Sequence, residues 1–159
     1  MVVDITARLL HLVFAGIWAG AVVYVAVAVL PLARDGAFNT THPLEVLSAK
    51  VTTISRVSAF VLLVTGGHLA GVLYTFDGDG GPSLFTTTQG QLVILMVVLW
   101  LALAALVEIG ASRLESGLNG KKLREPAQRS LPFFQAAAVM AVILLLIGGL
   151  LTTGGIHAI

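Results

Sequence analysis

The sequence predicts an all-α integral membrane protein, a four-helix antiparallel bundle forming one domain over residues 1–159 with both termini outside. Three observations carry that reading. Of 159 residues, 57% are hydrophobic and 11% charged, and the mean hydropathy is +0.98, so polar surface is too scarce to cover a water-soluble globule. Four apolar stretches reach the ~20 residues that a bilayer crossing needs at about 1.5 Å per residue. Cations collect in alternate connections between those stretches.

The first stretch covers about 5–30, and Pro31 is expected to end it. Its apolar run is longer than the core of a cleavable signal, which predicts a retained span. The second covers 51–76 and stops at the Asp, Gly and Pro-rich segment 77–82. The third covers 90–112. The fourth covers 131–153, its start bracketed by Pro126 and Pro132.

Sidedness follows from charge. The third connection carries Arg113, Lys121, Lys122, Arg124 and Arg129, the first carries Arg34 and Lys50, and the second carries Asp77 and Asp79 without a cation. The excess of Lys and Arg places loops 31–50 and 113–130 in the cytoplasm, and the termini and loop 77–89 outside a cell membrane. The formal net charge of +1 adds little. No nucleic-acid motif, phosphate-binding loop or internal repeat stands out, so the expected surroundings are the lipid bilayer. The absence of cysteine excludes disulfides and thiolate metal sites, leaving His, Met, carboxylate or backbone for any metal or cofactor.

The candidate site lies on the outer side. His68, within "TGGHLAG", falls about eight residues before the outer end of the second span, and His11 about six residues after the outer start of the first. Both are then roughly 9 to 12 Å deep. Met96 falls at nearly the same level of the third span. Arg8 precedes His11 by one turn, and Ala15 and Trp18 continue that stripe inward. Gly67 and Gly71 form a G-x-x-x-G pair around His68, and Gly16 and Gly20 another on the first span, spacing that suits close helix approach, a flat ligand or assembly into a homo-oligomer or larger complex.

The other polar residues suggest plainer roles. Met140 is read as packing, His157 as a solvated residue beyond the last span with an outer-mouth ligand role as the alternative, and His42 as loop. Trp100 is deep enough to be packing, whereas Tyr74 and Phe76 suit the outer interface. Arg56, Glu108 and Gln135 share a level near the cytoplasmic side, where an Arg56–Glu108 pair would satisfy both charges, as a structural element or as part of an ion path.

"SRVSAFVLLVTGG", followed by "LFTTTQGQLVIL" and a long apolar span, resembles the copper resistance D (CopD) domain. The likeness rests on Thr65 and Gly66 near the end of one helix, and on Thr87 with Gly90 to Leu92 at the start of the next. "HLVFAGIWAG" resembles the His and Trp-x-Gly helix found upstream in such proteins. Copper transport is what the resemblance implies. The chain departs from that family in lacking a lysine shortly after Gly90, where "GQLVILMVV" places Met96, and in having fewer spans than longer members. The first span, through His11, Trp18, Gly20 and Tyr24, is also similar to HemJ-type haem proteins, but Lys50, Lys121 and Lys122 all lie outside the deep part of any span, where that family keeps a lysine.

Three functions remain open from the sequence. In the first, His11 and His68, with Met96, hold a copper ion near the outer leaflet, soft and imidazole ligands suiting copper. In the second, His11 and His68 are axial ligands of haem b, with Arg8 toward a propionate, giving a haem-dependent membrane oxidoreductase or electron carrier. In the third, the histidines are hydrogen-bonding glue in a structural subunit of a membrane complex.

Overall fold

The computed structural model describes residues 1–74, 82–120 and 123–152. The described chain is helical, with four helices long and apolar enough to cross a membrane: α1 (Val2–Arg34), α2 (His42–Leu73), α3 (Thr88–Asn119) and α4 (Arg124–Thr152). Each packs on its neighbours in the chain, and α1 also packs on α4. The second connection and the C-terminal residues, including Phe76, Asp77, Asp79 and His157, lie outside the described residues, as do Lys121 and Lys122.

All four helices begin before the apolar stretches that mark them, whereas α2 ends at Leu73, short of the expected 76. Pro43 sits in the first turn of α2 and Pro126 in that of α4, where the missing N–H would have had no helical acceptor. Thr87 starts α3: its backbone is extended, and its Oγ1 accepts from Gly90 N at 3.1 Å. That bond satisfies one of the free N–H groups of the first turn. A side chain at Gly90 would collide with the Leu84 carbonyl, so both Thr87 and Gly90 are needed for this helix start.

Two expected breaks are absent. Pro31 does not end α1, because a π-helical turn at Val25–Val29 precedes it and the Leu30 N–H bonds to Val25 O. A wider turn relieves the usual clash between a proline ring and the carbonyl one turn earlier. Pro132 does not mark the start of α4 but lies inside it, and Leu131 before it and Phe134 two residues after it are buried. Packing holds the helix through a position that lacks a backbone donor.

The core contains Trp18, Val22 and Leu30 of α1, Leu44 of α2, Leu103, Val107 and Leu114 of α3, and Phe134 of α4. Small residues set the α3–α4 spacing. A Cβ on Gly110 would fall 2.9 Å from Phe134 Cε2, and one on Gly117 would collide with the Pro126 ring. Large apolar side chains, among them Leu9, Val27, Phe60, Val98, Leu101 and Leu146, point outward from the bundle.

Candidate functional site

The two histidines face the contact between α1 and α2, each with a hydrogen-bonding partner on the opposite helix. His11 Nδ1 is 2.9 Å from Thr65 Oγ1. The Thr65 hydroxyl donates its single hydrogen to Val61 O at 2.7 Å, so toward His11 it can only accept. The proton of His11 is therefore on Nδ1, and the lone pair of the neutral ring is on Nε2.

His68 is fixed in the reverse sense. Its Nε2 is 3.1 Å from Asp4 Oδ1, and a carboxylate accepts, so Nε2 carries the proton and Nδ1 the lone pair of the neutral ring. Asp4 Oδ2 is in turn 2.8 Å from the N-terminal ammonium. Orientation of an imidazole by a carboxylate or another acceptor on its second nitrogen is the arrangement that prepares histidines for metal ligation.

Gly66 makes the seat for His11. A Cβ there would fall 3.1 Å from His11 Cε1, closer than such contacts ordinarily run, so the ring lies against backbone that a larger residue would fill. Thr65 and Gly66 thus work together, one holding the ring nitrogen and the other leaving space for the ring edge. Gly67 and Gly71 do something else: a Cβ at either would meet open space.

The structure staggers the two imidazoles. Thr65 and His68 are three residues apart on α2, about 4.5 Å along the axis, so His68 stands nearly one turn beyond the seat of His11, beside Asp4. Arg8 is exposed on α1 and has no hydrogen bond or ion pair among the described residues. Met96 is turned to the other side of the bundle, its methyl 3.9 Å from where a Cβ of Gly148 on α4 would stand. Among the described residues no three His, Asp or Glu side chains gather where a metal ion could be held. His42 opens α2 instead of lying in a loop.

Trp18 is buried with its indole Nε1 lacking an acceptor among the described residues, and the Nε1 of Trp100 is in the same state; both indoles act as packing. Further along the bundle from the histidines, Arg56 and Glu108 form the expected pair between α2 and α3, with Nε to Oε1 at 2.8 Å and the second nitrogen to Oε2 at 2.9 Å. Gln135 is exposed on α4 and does not join them.

Sequence reasoning did not assign Asp4, and Thr65 and Gly66 entered it only through the family likeness, without a role at the site. Asp4 was legible in one respect: seven residues before His11, it shares that helix face. Searches against protein families, curated proteins and solved structures found no match to this chain.

Proposed function

We propose that this chain is a CopD-like, multi-pass membrane protein that binds copper as cargo through His11 and His68 and hands it across the bilayer. The observation that carries the reading is that Thr65 and Asp4 each occupy one ring nitrogen, which leaves one lone pair on each neutral imidazole for a soft cation. Cu(I) accepts few ligands, so two imidazoles suffice, and the lack of a larger donor cluster among the described residues suits it better than zinc or calcium.

An antiparallel bundle with outside termini accompanies this reading. It is supported by the contacts, in which residue numbers rise on one helix as they fall on the next: Asp4 with His68, then His11 with Thr65; Gly110 with Phe134, then Gly117 with Pro126. The cations at 31–50 and 113–130 favour a cytoplasmic position for those loops and an extracellular one for 77–89.

Haem b ligated by both imidazoles fits less well. The cross-helix bonds hold α1 and α2 at side-chain contact, and a macrocycle between His11 and His68 would have to part them, although exposed Arg8 remains available to a propionate. Titration of the detergent-purified protein with Cu(I) against a chromophoric chelator, with oxidised and reduced optical spectra of the same sample, separates the readings. One copper bound, weakened by more than about tenfold in His11→Ala and in His68→Ala, is expected. A Soret band lost in those variants would replace copper by haem; binding of neither would leave the histidines as structural glue.

A further inference from the structure

A second site lies between α3 and α4, far along the chain from the histidines. Their ends enclose a cleft of about 470 Å³ lined by Ser112, Arg113, Ser116, Gly117, Glu125 and Arg129, among others. Its charge is unbalanced. Arg129 pairs with Glu125 at 2.6 Å, whereas Arg113 has no carboxylate partner among the described residues. Its guanidinium is instead held 4.4 Å from the centroid of the Phe133 ring, a stacking that fixes the guanidinium while leaving its N–H edge to bond an anion.

Gly117 and Pro126 close the cleft between the two helices. Gly117 lets the Pro126 ring approach so closely that no side chain fits between them. Ser116 Oγ gives its hydrogen to Ser112 O, so the free hydroxyl donor on this wall is that of Ser112. Two guanidiniums and one hydroxyl facing a single carboxylate make a recognition set for phosphate oxygens.

We propose that this cleft binds the phosphate of an anionic phospholipid headgroup. Basic pockets between helices at the membrane surface are the usual receptors for such headgroups, and the cleft lies where the apolar run of α3 gives way to charge. One turn before Arg113, on the same face of α3, Ile109 is exposed, offering apolar surface for an acyl chain directly beside the cation. That continuity favours a lipid over a free phosphate, which would gain nothing from Ile109.

The test is native mass spectrometry of delipidated protein titrated with phosphatidylglycerol or phosphatidylcholine. The wild type is expected to prefer phosphatidylglycerol; Arg113→Gln and Arg129→Gln should each weaken it about fivefold, the effect of one cation near a membrane surface. Glu125→Gln, which frees Arg129, should strengthen it, a gain that a merely structural role does not produce. Equal affinity for the two lipids, no strengthening in Glu125→Gln, or an unchanged affinity in a folded Arg113→Gln/Arg129→Gln variant each overturns the proposal. Displacement of the lipid by an equal concentration of inorganic phosphate would overturn it too, making a free anion the ligand.

Discussion

His11 donates to Thr65, and not the reverse, because the Thr65 hydroxyl has already given its hydrogen to Val61 O. One residue of α2 thereby sets the tautomer of an imidazole on α1. Thr65→Val keeps the shape and removes the acceptor, so it should weaken the α1–α2 contact by about 0.6 to 1.7 kcal/mol, the range of hydrogen bonds between membrane helices. Thr65→Ser should behave like wild type. Nitrogen-15 shifts of His11 provide the check: a single Nδ1–H tautomer in wild type and Thr65→Ser, and a tautomer mixture in Thr65→Val. A mixture in wild type would refute the assignment.

Gly66 and Gly67 are adjacent yet should respond in opposite ways. Gly66→Ala places a Cβ 3.1 Å from His11 Cε1, and the ring must shift by a few tenths of an ångström away from Thr65. On the copper reading, affinity for the ion is expected to fall severalfold. Gly67→Ala meets open space and should be neutral, or stabilising by at most about 1 kcal/mol through helix propensity. Equal losses of affinity in both variants would show that helix flexibility, not the seat of His11, governs the site.

On the copper reading, occupancy should also depend on pH. A metal and a proton would compete for the same lone pairs, at Nε2 of His11 and Nδ1 of His68, so acidification should release the ion. Binding kept at neutral pH and lost on acidification is the expected sign. Occupancy flat down to about pH 4 would mean that imidazole is not the ligand.

These sites show what was legible in the sequence. The four spans were, because hydrocarbon thickness imposes a length on any apolar helix. Their ends were not, because α2 begins at His42 and runs through Glu45, Ser48 and Lys50 before its apolar stretch; helices continue past the lipid where backbone bonding and packing permit. Pro31 read as a stop because its local rule ignores the wider turn at Val25–Val29. Arg56 with Glu108 was legible because two opposite charges at one level have few other partners there. The partners of His11 and His68 were not, because rotation about each helix axis, which turns His68 toward Asp4 and Met96 toward Gly148, is settled only by packing.

The Arg56–Glu108 pair invites a charge swap. Both side chains are substantially exposed from the bundle, where a lone charge would meet either lipid or headgroups. Glu108→Gln leaves Arg56 unpaired and should lower the thermal midpoint in detergent, as should Arg56→Gln. Arg56→Glu with Glu108→Arg should restore most of the loss, since the two-bond geometry can be rebuilt in reverse. A swap no better than the single changes would show that an outside partner, such as a component of an ion path, uses one of these charges.

The glycine pairs separate folding from assembly. Gly110→Ala and Gly117→Ala push a methyl into Phe134 and Pro126, rings anchored in the α3–α4 contact, and should destabilise the bundle by about 1 to 3 kcal/mol as overpacking does. Gly16, Gly20, Gly67 and Gly71 have open space at the Cβ position, so they do not hold this bundle together, and the spacing that lets helices approach closely is turned outward. If those residues join copies of the chain, Gly16→Leu and Gly67→Leu should leave the unfolding of the monomer unchanged while abolishing association. Light scattering with refractive-index correction for bound detergent gives the mass. A wild-type mass equal to one chain, or a dimer that survives both leucine substitutions, rules out assembly through these faces and leaves the glycines as room for lipid.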